Sequence, residues 1–534
     1  MLTLPLEPTD DRANPAFKTA AECTRWLNQL QLTNLQLAHS KLLVQLNELN
    51  RFAMRSTERL AILEMLRETL EHVQRDYARK LIAKPLLLSD AEYLVFVGII
   101  NLWQAMVTGY QHCLQDYLRG DRSVNKQGAL LSQRCLLYSG LEIFEYLRMG
   151  YEFDDQLWRQ LHTLYAFTEE RKLHLTPVMD TLHQANTTCS TIYVKTLLAC
   201  DAHPAELSRS QLRLLDGWLT DWSREIKLER HYSITAGDAV PLAVDLTSTR
   251  GLYSATDMGD NVHIRYLALV PLSKLLRIKI ILLEQGASTE KVGLGKLSDP
   301  DECRDLLVFL HKCWCESHNE RVRPPRNVGQ AVQICYHPEQ IFGELSGKVF
   351  DQPHRMITAA NRDSLETFGQ VGGTTQKAYH ANSTELWRVE NDGLLGIQVL
   401  RENMGGRRLH HAQLLALQPE GTQRYMLAVS TWIKVTRTGR LQMGARYLPG
   451  TPEAIWVRHY GLNRHDEAYQ AAFVLPAIRD LNIPSSLLLP LHCFQAGRVI
   501  EILTLKDVKI TLKMELSVER GVDYERISFE PCKV

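Results

Sequence analysis

The stretch RVRPPRNVGQAVQICYH, Arg321–His337, decides how the chain is read. Two adjacent prolines and three arginines interrupt it, and AVQICYH then alternates as a strand would. Behind this break the apolar residues recur with the period of a helix. Beyond it they recur with the period of a strand.

On the N-terminal side, TAAECTRWLNQL sets Cys23, Trp26, Leu27 and Leu30 at i, i+3, i+4 and i+7. Leu35, Leu42, Leu46 and Leu49 continue as a second stripe, and a third helix is expected over 56–79, stopped by Lys84-Pro85. Ser89-Asp90-Ala91-Glu92 reads as the cap of a further helix, and two more are expected over 128–148 and 154–170. The most apolar run, Tyr93–Val107, contains Asn101 and Gln104 and falls short of the about 20 residues a membrane span needs. It reads as a buried helix, and no transmembrane segment is expected.

Between 205 and 320 the texture is mixed. A helix near 207–227 is followed by the strand-like AVPLAVDLT (239–247) and HIRYLALV (263–270), and then by two further helices. Past the break, candidate strands follow at short intervals: ELWRVE (385–390), GIQVL (396–400), HAQLLALQ (411–418), RYMLAVSTWIKVT (424–436), RLQMGARYL (440–448) and AIWVRHY (454–460). AAFVLP, SSLLLP, RVIEILTL, VKITLKMELSV and YERISFE come after them. Short strands at this spacing suggest an antiparallel barrel. Residues 351–384, strand-poor and polar, read as an insertion. The fold class is therefore α+β and multidomain. It comprises a flexible arm (1–17), an all-α domain (18–204), an α+β middle domain (205–320) and a β-barrel domain (321–534).

With 534 residues the chain has room for three or four cores at roughly 100–200 residues each. Lys+Arg and Asp+Glu are both 61, and this balance argues against a nucleic-acid polymer as partner. It leaves room for a small anion held by local arginines. Eleven scattered cysteines and an acidic, proline-containing start (MLTLPLEPTDDR) point to reduced thiols in a cytoplasm, with no secretory signal expected. No GxxxxGK[ST], HExxH, GxSxG or strand-linked GxGxxG occurs, so no catalytic residue is assigned and the chain is read as a binding protein, not an enzyme. His311, Cys315 and His318 could share a helix face, yet no second ligand pair lies nearby, and the cysteines read as core residues. No metal and no cofactor is expected.

The sharpest feature is an ordered set of elements in the β half. Arg321, Arg323 and Arg326 precede the first strand. Asn391-Asp392-Gly393-Leu394-Leu395-Gly396, of the form Asn-x-Gly-x-x-Gly, lies between two strands. Val429-Ser430-Thr431-Trp432 and Gly439-x-x-x-x-Gly444 follow. This order, over about 320–460, resembles the PilZ family of cyclic di-GMP receptors, in which an arginine motif precedes a barrel strand and an Asp/Asn-x-Ser/Ala-x-x-Gly motif follows. The resemblance implies a PilZ-like barrel, a bacterial signalling protein, and cyclic di-GMP held by Arg321, Arg323, Arg326, Asn391, Gly393 and Gly396. Arginine forks suit phosphate oxygens and the O6/N7 edge of guanine. It also implies a regulatory effector whose helical half contacts a protein partner in motility, adhesion or biofilm control, with self-association left open. Here the arginines are spaced Arg323-x-x-Arg326, and Gly393 stands where the family has a small hydroxyl residue. These departures favour the alternative of a ligand-free PilZ-like interaction scaffold. Arg230 and Asp245–Gly251 form a fainter echo, read as a strand-end turn in preference to a degenerate companion barrel.

Overall fold

The computed structural model describes residues 2–4, 6, 8–82, 84–232, 241–255, 261–296, 299–316, 326, 328–353, 384–403, 405–461 and 468–532. The chain divides into two compact units, Met1–Arg321 and Val322–Val534.

The first unit opens with helices α1 (Ala20–Asn28), α2 (Leu35–Arg51), α3 (Ser56–Ala78), α4 (Asp90–Leu118), α5 (Gly128–Met149) and α6 (Asp155–Glu170). The short antiparallel hairpin β1 (Val178–Asp180) and β2 (Ala185–Thr187) follows, then α7 (Cys189–Asp201) and α8 (Arg209–Trp222). Strands β3 (Leu228–Glu229), β4 (Leu242–Asp245), β5 (Tyr253–Ser254) and β6 (Ile264–Leu267) form a four-stranded antiparallel sheet in the order β3-β6-β4-β5. Helices α9 (Val270–Glu284) and α10 (Pro300–Cys315) complete the unit. The start of α4 is the capping box expected from its sequence. Ser89 Oγ accepts from the Glu92 amide at 3.4 Å, and the Glu92 carboxylate accepts from the Ser89 amide at 2.9 Å.

Among the described residues α4 is the helix long and apolar enough to cross a membrane, but Phe96, Ile99, Met106 and Tyr110 are buried in the core beside Leu42 of α2 and Leu66 of α3. The arm expected to be flexible is tethered. The Asn14 amide donates to Glu48 at 2.9 Å, the Ala16 amide to Gln45 at 2.7 Å, and Phe17 is buried against Trp26. No break falls at 204/205, because α7 serves both sides. Its Tyr193 and Leu197 enter the core under α1–α6, and its Val194 and Leu198 enter a second core with Trp218, Leu276 and Trp314. A helix apolar all round belongs between two layers.

The second unit holds two closed antiparallel barrels where the sequence reading set one. The first is built from β7 (Ala331–Cys335), β8 (Glu385–Asp392), β9 (Gly396–Arg401), β10 (Leu414–Pro419), β11 (Met426–Val435) and β12 (Leu441–Tyr447), closed in the order β10-β11-β12-β9-β8-β7. The second is built from β13 (Glu453–His459), β14 (Gln470–Leu475), β15 (Ser486–Pro490), β16 (Val499–Thr504), β17 (Lys509–Arg520) and β18 (Tyr524–Pro531), closed in the order β13-β14-β15-β18-β17-β16. Six strands fill each ring, so the strands after 453 had no vacancy in the first. A helix that strand reasoning missed, α11 (Pro338–Ser346), buries Ile341 and Phe342 among residues of both barrels, including Leu414, Phe473 and Leu488. Of the expected insertion 351–384, residues 354–383 lie outside the described residues.

Candidate functional site

The outer face of the first barrel brings together most of the expected binding residues. Along a strand, side chains alternate between core and exterior. On β9, Ile397 and Val399 are buried inward, which sets Gly396 and Gln398 outward. On β12, Met443 and Ala445 point in, which sets Gln442, Gly444 and Arg446 outward. Register aligns these rows, with Gly396 opposite Arg446 and Gln398 opposite Gly444.

Arg326 lies at one end of this face. Its amide donates to Asn391 Oδ1 at 3.4 Å, and its carbonyl accepts from the Asp392 amide at 3.2 Å. Arg326 and the Asn391–Gly396 turn therefore lie side by side. The turn itself is tied in two places. The Gly393 amide donates to the Gly396 carbonyl at 2.9 Å, and the Tyr447 amide donates to the Leu395 carbonyl at 3.0 Å. Tyr447 also donates its hydroxyl to Asp392 Oδ1 at 3.0 Å, and burial together with that carboxylate pushes the phenol above its ordinary range. Leu394 and Leu395 at the tip are each 83% exposed. Arg321 and Arg323 lie outside the described residues.

Gly396 is a glycine for a reason of space, since a Cβ there would lie 2.4 Å from the Ala445 carbonyl oxygen. Gly444 is covered by the Trp432 indole, whose Nε1 would lie 2.1 Å from an added Cβ. Beside them the Glu390 carboxylate accepts from Gln398 Nε2 at 2.9 Å and from Gln442 Nε2. The result is a bare backbone floor at Gly396, edged by Asn391, an acceptor at Glu390 and arginines at 326 and 446. Such a surface lets a flat ring approach the backbone while arginine forks take its phosphates.

Arg446 and Tyr447 escaped sequence reasoning, although both lie within the RLQMGARYL strand. The signal was positional, since Arg446 is two residues past Gly444 and so on the same face. Arg407, at the start of the segment before β10, forms a structural lock. The Arg407 amide donates to Glu385 Oε1 at 2.5 Å, and its carbonyl accepts from the buried Arg401 guanidinium at 2.7 Å.

Two other candidates resolve into ordinary structure. After β4, Asp245 Oδ1 accepts from both the amide and the hydroxyl of Thr247, a strand-end turn of the kind expected. His311 Nε2 accepts from Arg277 Nε at 3.0 Å, its Nδ1 lies 3.4 Å from Glu316, and His318 is outside the described residues. Among the described residues no group of three His, Cys, Asp or Glu side chains could hold a metal ion. The cysteines are free thiols, and burial pushes Cys23, Cys113, Cys189 and Cys335 up to about 12.

Residues 21–232 match the family model for the cyclic-di-GMP receptor FimW, N-terminal domain, and residues 455–532 match the FimW C-terminal beta-barrel domain. The second match coincides with the second barrel, and the first barrel lies between the two matched segments. A curated relative, the cyclic-di-GMP receptor FimW of Pseudomonas aeruginosa, is 22% identical over 551 aligned positions, covering 93% of this chain and 88% of the relative. A solved structure, described as "MrkH, A novel c-di-GMP dependence transcription regulatory factor", aligns with 40% of this chain and 89% of its own at 9% identity. The TM-score of that alignment is 0.12. With the two family matches together spanning more than half of its length, the chain belongs to the FimW family.

Proposed function

We propose that this chain is a cyclic di-GMP receptor that binds the dinucleotide on the outer face of its first barrel. The observation that carries the reading is the clasp between the Arg326 backbone and the Asn391 side chain and Asp392 amide. It sets Arg326 against a turn that begins with an asparagine and ends on a bare glycine. In this reading Arg321, Arg323 and Arg326 take phosphates or the O6/N7 edge of guanine, Asn391 bonds a base, and Gly393 and Gly396 admit the ring. The P. aeruginosa relative, matched over nearly its whole length, is described as a receptor for the same ligand.

The role is regulatory and not catalytic: ligand binding in the cytoplasm changes how the helical unit engages a protein partner, in motility, adhesion or biofilm control. Such a change requires that the ligand favour one state of the protein over another. A second reading, a barrel that has lost its ligand and serves as a scaffold, draws on Gly393, which supplies no hydroxyl.

Isothermal titration with cyclic di-GMP, with GTP and cyclic di-AMP as controls, separates the two. Saturable binding at about micromolar affinity or tighter, lost in Arg323→Ala/Arg326→Ala, is expected of the receptor. Absence of binding by titration and by equilibrium dialysis would leave the scaffold.

A further inference from the structure

The hairpin β17–β18 of the second barrel reaches the first. The Val522 amide donates to the Ala412 carbonyl at 3.0 Å, and Asp523 Oδ1 accepts from the Leu414 amide at 2.9 Å. Near that tip, Glu519 Oε1 accepts from Arg446 Nη2 at 2.6 Å and from the Tyr524 hydroxyl at 2.6 Å, while its Oε2 lies 4.0 Å from Arg526. Around Glu519 the β17–β18 register is irregular, shifting between Met514 and Ser517 and again between Ser517 and Glu519.

Arg446 stands in the outward row of β12, directly across from Gly396. The strands are about 5 Å apart. Gly396 has no side chain, so none at that position separates Arg446 from the Asn391–Gly396 turn. Arg446 is 42% exposed and Glu519 25%. Ion pairs this accessible to water are weak and screened. A phosphate offers the same guanidinium a bidentate partner of full charge.

We propose that Arg446 is a phosphate-binding residue of the nucleotide site, held by Glu519 of the second barrel while the site is free. Uptake of a nucleotide with two phosphates then draws Arg446 away from Glu519 and loosens the hairpin from the first barrel. The inference rests on the receptor reading above and assigns to that site an arginine outside the Arg321–Arg326 segment. It also gives the second barrel a part in sensing the ligand.

The test measures cyclic di-GMP affinity by titration on the full chain for the wild type, Arg446→Gln, Glu519→Gln and the double variant. Hydrogen exchange of the Gly521 and Val522 amides is followed with and without ligand. Arg446→Gln is expected to weaken binding about tenfold or more, and Glu519→Gln to tighten it several-fold. The double variant should behave as Arg446→Gln, and ligand should speed exchange at 521–522. Were the wild type to bind nothing, the receptor reading and this inference would fall together. Wild-type binding with unchanged affinity in a folded Arg446→Gln would sink this inference alone. If Arg446→Gln does not fold, Glu519→Gln decides, because losing a merely structural ion pair would not tighten a ligand. Unchanged or weaker binding in Glu519→Gln would then overturn the proposal.

Discussion

The amide of Arg326 donates to the side-chain oxygen of Asn391, 65 residues further along the chain, at 3.4 Å. Because the Asp392 amide returns a bond to the Arg326 carbonyl, the contact is two-sided and fixes the last residue of the arginine segment against the turn. Asn391→Ala removes the acceptor and a polar group that could meet a base. It should weaken cyclic di-GMP binding about tenfold and speed exchange of the Arg326 amide. Asn391→Asp keeps the acceptor and should bind within about threefold of the wild type on the same scale. Titration of both variants checks this, and wild-type affinity in Asn391→Ala would remove Asn391 from the site.

Gly396 and Gly393 belong to one turn but should respond in opposite ways to an added side chain. At Gly396 a Cβ meets the Ala445 carbonyl, which belongs to the paired strand and cannot swing aside. Gly396→Ala should therefore cost about 1–3 kcal/mol and loosen β9 from β12. That would be seen as a lower denaturation midpoint and lost binding. At Gly393 the nearest neighbour to a Cβ is the Gly396 carbonyl at 3.6 Å, an ordinary contact. Gly393→Ser should fold normally and, by restoring a hydroxyl, tighten binding. A Gly393→Ser chain that binds less well than the wild type would argue that the site does not use that position.

How much of this could be read from the sequence depended on the range of the interaction. Local signals were legible. The Ser89–Glu92 box appeared where expected, and strands such as Gly396–Arg401 and Leu441–Tyr447 lay within a residue of their alternating patterns. Ring closure was not legible. Nothing local to Glu453 says that β12, which ends at Tyr447, is already paired on both edges, by β11 and β9. The same alternation serves either barrel. That the strand beginning at Glu453 pairs with β16 and not with β12 is a long-range fact. Helix α11 was missed because nine residues with a proline at the start resemble a loop between strands. Arg446 was missed because its meaning comes from Gly396 on one side and Glu519 on the other, residues far from it in the chain.

The first unit carries a buried ionic cluster that should be sensitive to single truncations. Arg67 and Arg134 are 2% and 1% exposed. Arg134 grips both oxygens of Glu64 at 2.7 and 2.9 Å, and Arg67 reaches Asp180 on the β1–β2 hairpin at 2.6 Å. Tyr110 and Tyr138 add hydroxyls to Glu64 and Arg67. Removing one partner leaves a charge in the interior, so Arg67→Ala should destabilise this unit by about 3–5 kcal/mol. The exposed Arg388→Ala in the first barrel should change stability by about 0.5 kcal/mol or less. Urea unfolding of both variants, followed by circular dichroism at helical wavelengths, makes the comparison. Equal midpoints would show that the cluster is not what secures the hairpin.

Glu142 supplies a pH dependence with a definite sign. It lies on α5 at 2% exposure with Gln104 Nε2 donating to it at 2.7 Å. Burial pushes its carboxyl from 4.5 up to about 7, against the smaller opposing effect of the Gln104 amide. The folded state therefore holds a proton that the unfolded chain releases more readily. The stability this adds is fully present below pH 4.5 and is lost as pH rises through about 7. The span corresponds to about 3 kcal/mol at most. Glu142→Gln keeps an oxygen to accept from Gln104 and cannot ionise. Its melting temperature should match the wild type near pH 5 and exceed it by several degrees near pH 8. Scanning calorimetry of both proteins at the two pH values reads this directly. An advantage of equal size at both would mean that Glu142 is not held neutral by its surroundings, and that the gain comes from packing.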